Sequence, residues 1–254
     1  MEAPQVTREL KRDALGRIER IDGPDGTQLR RVADGGRLPG SRAVARLLLA
    51  RERRALEQLE GLAVARPPEQ VPRLVSDDAS LRGLPSLDGA VPDPRDVLIR
   101  SYLEGTPLWA ATWLPADFFR ALAKLVERLH EAGVCHNDLH KEPNVLVAPD
   151  GAPCVIDFQL ASVHRRRGAL FRSRAREDLR HVAKHERHYR SRGGTLVDPD
   201  APPKGRRSMV AALWFRTGKP VYNVITRRLL RTEDGEPRRP KQGPWPSWGP
   251  PLEP

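Results

Sequence analysis

Hydrophobic positions along this chain change period several times, and each change marks an element. Ser41–Leu62 carries Val44, Leu47, Leu48, Ala55, Leu56 and Leu59 at helical spacing, behind a serine suited to cap a helix N-terminus. Pro115–Ala132 has the clearest helical stripe: Phe118, Leu122, Leu125, Val126 and Leu129 share one face, Asp117 stands near the start and Gly133 just past the end. Two β-rich runs, Leu10–Ile21 and Gln28–Ala33, flank the turn sequence Gly23-Pro24-Asp25-Gly26. Asn144–Ala148 and Cys154–Phe158 flank a second hairpin turn at Pro149-Asp150-Gly151. Val97–Leu103 reads as a buried strand and ends at the turn Gly105-Thr106-Pro107. Glu177–Tyr189 is a polar helix, Ser208–Phe215 and Val221–Leu230 are amphipathic, and proline-rich Pro240–Pro254 reads as a loose tail. The order predicts an α+β protein: a β-rich N-terminal lobe over 1–97 with one helix, a hinge over 98–104, a mainly helical lobe over 105–239 and a tail over 240–254. A cleft between two such lobes is the expected ligand site.

With 254 residues the chain can build one large domain or two small lobes with a real core. No run of 18 apolar residues exists, so no membrane-spanning helix is expected. The N-terminal sequence lacks the apolar stretch of a secretory signal. Two cysteines, Cys135 and Cys154, exclude a disulfide framework and a cysteine-based zinc module. The expected location is cytoplasmic, with contact at the inner face of a membrane as a further expectation.

The net charge of +11 is unevenly spread: His164–Arg190 carries +7 and Lys204–Lys241 +8, which leaves the remainder about −4. A basic C-terminal half facing a near-neutral N-terminal half predicts an anionic partner, whether phosphate, lipid headgroup or nucleic acid. His136/His140 and His181/His185/His188 have spacings that metal sites use. The second set lies among Arg and Lys, a poor setting for a cation, and reads as a solvated basic face.

Residues 133–162 read GVCHNDLHKEPNVLVAPDGAPCVIDFQLAS. Their His-x-Asp-Leu stretch, later Asn and Asp-Phe pair resemble the catalytic loop and metal motif of the protein-kinase-like superfamily. The stretch is similar to small bacterial RIO-type kinases, lipopolysaccharide core sugar kinases and predicted serine/threonine kinases, and the wider resemblance covers residues 8–190. It implies a bilobal protein-kinase-like fold and transfer of the ATP γ-phosphate, with Mg²⁺, to a hydroxyl of a protein Ser/Thr or of a lipid-linked sugar. Such chemistry needs a positioned hydroxyl and neutralised phosphate charge rather than covalent work by the protein. Asp138 is then the catalytic carboxylate, Asn144 and Asp157 the metal ligands, and His136 a brace for the loop. Lys141 is placed near the γ-phosphate. Asp178 matches the helix aspartate that binds the catalytic-loop backbone.

The sequence also departs from the family. Asp138 to Asn144 is six residues instead of five, so one residue bulges the catalytic loop. Gln159 replaces the glycine after Asp-Phe, which disfavours the flipped state that glycine allows. No glycine-rich loop is present, and Gly16 alone stands where a phosphate-covering loop belongs. Arg30 and Arg31 stand where the family has its phosphate-binding lysine. Strand alternation turns one into the cleft and the other away, with Arg30 taken as the inward one and Glu52 as its helix partner. Tyr102 and Leu103, at the hinge, are placed at the purine pocket. The alternative readings are a pseudokinase, or a basic module that binds RNA or an anionic membrane surface.

Overall fold

The computed structural model describes residues 3–13, 15–35, 39–60, 69–75, 79–191, 246–250 and 252. Its first elements are β1 (Gln5–Asp13), β2 (Gly16–Gly23), β3 (Gly26–Val32), α1 (Ser41–Glu60), a short α2 (Ala79–Arg82) and β4 (Val97–Ser101). The four strands form one antiparallel sheet in the order β1-β2-β3-β4. Gly23 pairs with Gly26 across the expected turn. The run Leu10–Ile21, read from its pattern as one stretch, is divided between β1 and β2. Asp13 makes that turn without a Gly or Pro dipeptide: its Oδ1 accepts from the backbone N–H of Leu15 at 2.9 Å and of Gly16 at 3.2 Å. Gly16 is required there, because a Cβ would lie 2.0 Å from the Val32 carbonyl oxygen.

Strand alternation gives this sheet two buried faces. On one, Ile21, Val32, Val97 and Ile99 pack with Leu81 of α2, and Arg17, Glu19 and Arg30 lie among them. On the other, Leu98 and Ala33 pack against Ala45 and Leu49 of α1. Arg31, directly opposite Leu98 in the register, belongs to this second face.

The rest of the chain supplies β5 (Thr106–Pro107), β6 (Trp113–Pro115), α3 (Phe118–Glu131), β7 (Val134–Cys135), β8 (Val145–Val147), β9 (Pro153–Val155), β10 (Ser162–Val163), α4 (Ala169–Arg190) and β11 (Ser247–Gly249). The main core joins the last turns of α1 to α3, the β7–β9 region and Val182 and Tyr189 of α4. Antiparallel β-sheet first and helices after it make this a mixed α+β protein, consistent with a bilobal kinase-like fold. Helix α4 begins at Ala169, eight residues before the stretch its pattern predicts, since its first two turns bury only Phe171 among arginines. The expected loose tail is in part ordered. Ser247–Gly249 runs parallel to Trp113–Pro115, and the Trp248 ring sits 6.2 Å from that of Phe119 and 5.2 Å from the Arg190 guanidinium. Ser208–Phe215 and Val221–Leu230 lie outside the described residues. Among the described residues, no helix is long and apolar enough to cross a membrane.

Candidate active site

The catalytic-loop sequence lies between β7 and β8, and its backbone is held from three sides. Asp178 of α4 accepts from the backbone N–H of His136 at 2.8 Å and of Asn137 at 2.9 Å. This lets Asn137 adopt a left-handed conformation, φ 65°, with its side-chain amide donating to the carbonyls of Cys135 and Leu160. The His136 Nε2–H donates to the Ile156 carbonyl at 3.0 Å, and Nδ1 accepts from the Asp138 N–H at 3.3 Å. Its ring stands edge-on to Phe158, centroids 4.8 Å apart. One imidazole thereby ties the loop to the segment carrying Asp157. His185, buried in α4, donates to the Leu139 carbonyl at 2.8 Å, and His181 lies ring to ring with His140 at 5.7 Å. The expected solvated face is therefore corrected. These two histidines back the loop, and burial, with Arg180 and other cations beside it, pushes the His181 pKa down to about 3. The end of the loop is a single 3₁₀ turn over Glu142–Asn144, where Glu142 accepts from the Tyr189 hydroxyl at 2.7 Å.

Asp138 is 3% exposed. Its Oδ2 accepts from Asn144 Nδ2 at 3.0 Å, with Lys141 Nζ at 3.4 Å. Its Oδ1 has His140 Nδ1 at 3.2 Å but, among the described residues, no hydrogen-bond donor in good geometry. A buried carboxylate oxygen without a donor is costly, and an incoming hydroxyl would satisfy it. Lys141 thus reaches the carboxylate itself.

Asn144 and Asp157 close the same edge of the β8–β9 hairpin. The Ile156 N–H donates to the Asn144 carbonyl at 3.0 Å, which brings Asp157 directly after it. Asp157 departs from the expected strand; it sits at φ 66° beyond the end of β9. The Asn144 amide nitrogen is committed to Asp138, and an amide oxygen beside a carboxylate is a hard-oxygen donor set that suits Mg²⁺.

Arg31, and not Arg30, approaches this edge. Arg31 Nε lies 3.1 Å from Glu52 Oε2, and Nη2 lies 3.3 Å from Asp157 Oδ1. The preference for Arg30 is therefore overturned. Arg30 is fully buried on the opposite face, bound to Glu19, Ser86 and the Leu84 carbonyl. Burial pushes the Asp157 carboxyl up, but Arg31 and Arg100 more than offset this and hold it below the usual carboxylate range. Gly16 lines a pocket with Lys11, Arg31, Val32 and Gln159. Tyr102 and Leu103 lie past the end of β4, and the Arg20 guanidinium stands 5.4 Å from the centre of the Tyr102 ring. Sequence reasoning missed Arg100, whose Nε lies 3.5 Å from Glu52 Oε1. An arginine in an otherwise apolar strand, Val97–Ile99 before it, was the available signal.

The family model of the phosphotransferase enzyme family (APH) matches residues 111–166, the stretch from β6 through the catalytic loop and both carboxylates to β10. No curated protein matches the chain. This local match suggests a phosphotransferase and is consistent with the protein-kinase-like superfamily, as is the α+β fold.

Proposed function

We propose that this chain is an ATP- and Mg²⁺-dependent phosphotransferase that moves the γ-phosphate of ATP to a hydroxyl, of a protein Ser/Thr or of a lipid-linked sugar. The observation that carries the reading is Asp138, with one oxygen held by Asn144 and the other lacking a donor. In this role Asp138 Oδ1 accepts the proton of the acceptor hydroxyl. His136 and Asp178 fix the loop so that the carboxylate does not rotate away. Asn144 and Asp157 would hold Mg²⁺, which neutralises charge on the nucleotide phosphates. Arg31 supplies the cation that a lysine provides in relatives, and its planar fork can face a carboxylate and a phosphate oxygen at once.

Between Arg165 and Arg176, six arginines make no ion pair with a carboxylate among the described residues; Arg167, Arg172 and Arg176 donate to backbone carbonyls instead. This supports an acceptor presented on an anionic surface, with RNA as the competing anionic partner. The test is transfer of label from γ-labelled ATP with Mg²⁺ to a mixed Ser/Thr peptide pool, to a lipid-linked glycan and to RNA-bound protein. Transfer to one acceptor supports the reading; binding of ATP with no transfer to any of them makes the chain a pseudokinase.

A further inference from the structure

Four charged side chains from four parts of the chain form one linked cluster, in which two arginines meet at Glu52. From α1, Glu52 presents Oε2 to Arg31 Nε at 3.1 Å and Oε1 to Arg100 Nε at 3.5 Å, and Arg31 continues to Asp157 at 3.3 Å. Glu52 is fully buried and Arg100 is 3% exposed. Among the described residues Arg31 Nε, both Glu52 oxygens and Arg100 Nη1 have no hydrogen-bond partner, so charge rather than directed bonding holds the two arginines on Glu52, while Arg31 Nη2 donates to Asp157 Oδ1. Two guanidiniums and two carboxylates sum to zero formal charge.

A guanidinium keeps its proton even when buried, so neither cation can leave by titration. Any divalent ion approaching Asp157 meets Arg31 already on that carboxylate and Arg100 behind it. A polyphosphate meets the reverse field: two arginines whose donors are under-used. Arg100 also decides what Arg31 can do. Its charge, 3.5 Å from Oε1, competes with Arg31 for the carboxylate and opposes a two-oxygen grip on Arg31, which leaves Arg31 Nη2 for Asp157 or for a phosphate oxygen.

We propose that Arg31 is an internal counter-cation for Asp157, kept there by Arg100 through Glu52, so that a divalent metal enters only together with a polyphosphate that draws Arg31 off the carboxylate. This rests on the phosphotransferase reading and adds an order of binding and a positioning residue, Arg100. Linkage makes the coupling reciprocal: the factor by which nucleotide tightens metal is the factor by which metal tightens nucleotide.

The experiment titrates Mn²⁺, as a spin-visible substitute for Mg²⁺, into the full chain with and without a non-hydrolysable ATP analogue, and reads free ion by electron paramagnetic resonance. Wild type should bind Mn²⁺ about tenfold or more tightly with the analogue than without it. Arg31→Met should bind Mn²⁺ alone about tenfold more tightly than wild type does and should lose affinity for the analogue in the absence of metal. Arg100→Met should shift both affinities in the same directions by less, and Arg100→Lys, which restores a cation on Glu52, should move them back. A purely structural Arg100 would weaken both affinities together. If Arg31→Met does not fold, Arg31→Gln serves, since a neutral amide keeps a polar contact but cannot neutralise Asp157. Equal Mn²⁺ affinity in wild type and the Arg31 variants, with joint binding of metal and analogue intact, overturns this proposal and leaves the phosphotransferase reading standing. Failure of every form to bind Mn²⁺ and analogue in any combination overturns both.

Discussion

Arg30 and Arg31 are neighbours in β3 and serve opposite faces of one sheet. Arg31 joins Glu52 to Asp157 on the α1 face, while Arg30 is enclosed on the other with Glu19, Ser86 and the Leu84 carbonyl. Two residues of one type therefore separate into a site role and a folding role. Replacing Arg31 with Met should lower turnover about 10²-fold, as losing one electrostatic stabiliser does, and should also lower the melting temperature, because buried Glu52 is left with Arg100 alone. Replacing Arg30 with Met leaves buried Glu19 with Arg17 as its remaining arginine and takes a donor from Ser86 and the Leu84 carbonyl, and should destabilise the fold by about 1–3 kcal/mol. Steady-state kinetics beside thermal melts separate the two; equal losses of activity at unchanged stability would refute the division.

Protonation of the histidines behind the catalytic loop opposes folding. The folded His181 has its pKa pushed down to about 3 from an ordinary 6.5, and burial lowers that of His185 as well. Between those two values the unfolded chain binds a proton that the folded chain refuses, so stability is complete above the ordinary value and falls as the pH drops through it. Melting temperature should decline between about pH 7 and pH 5, and His181→Gln should flatten the decline. A melting temperature indifferent to pH in that range would contradict the burial of these rings.

Both cysteines are free and buried, and burial pushes each thiol up to about 12. Thiolate is the reactive form, so neither should react with a disulfide reagent at neutral pH until the chain unfolds. Rapid labelling of the native protein would show that Cys135, next to His136, is open to solvent.

Trp248 fastens the C-terminal strand to the helical part of the fold. Its ring packs on Phe119 and lies under Arg190, and the Leu252 N–H donates to Asp117 at 2.9 Å. Trp248→Ala should cost about 1–3 kcal/mol of stability, measured by denaturant unfolding, with nucleotide binding retained. A variant as stable as wild type would mean that this strand contributes nothing to the fold.

The catalytic loop is legible in the sequence because its chemistry is local: His136, Asp138, Asn144 and Asp157 lie within one loop and one hairpin, whose turn is written as Pro149-Asp150-Gly151. What lies beyond local spacing is not. Which of Arg30 and Arg31 faces the site depends on the register of β3 against β4, and alternation alone leaves both parities open. Arg100 meets Glu52 only through the packing of α1 on the sheet. The turn between β1 and β2 is made by the Asp13 side chain rather than by a glycine or proline pair, and the start of α4 carries too few apolar residues to show a period. His185 looks solvated because its neighbours are charged, yet it faces inward to Leu139.

In the proposed reaction Asp138 is the carboxylate that takes the acceptor's proton. This role is tested most directly by turnover of γ-labelled ATP with Mg²⁺, wild type beside Asp138→Asn, with ATP affinity measured on the same samples. The variant should bind Mg·ATP as wild type does and lose turnover about 10²-fold or more, the share of a positioned general base. Equal turnover by the two proteins at equal ATP affinity would contradict it.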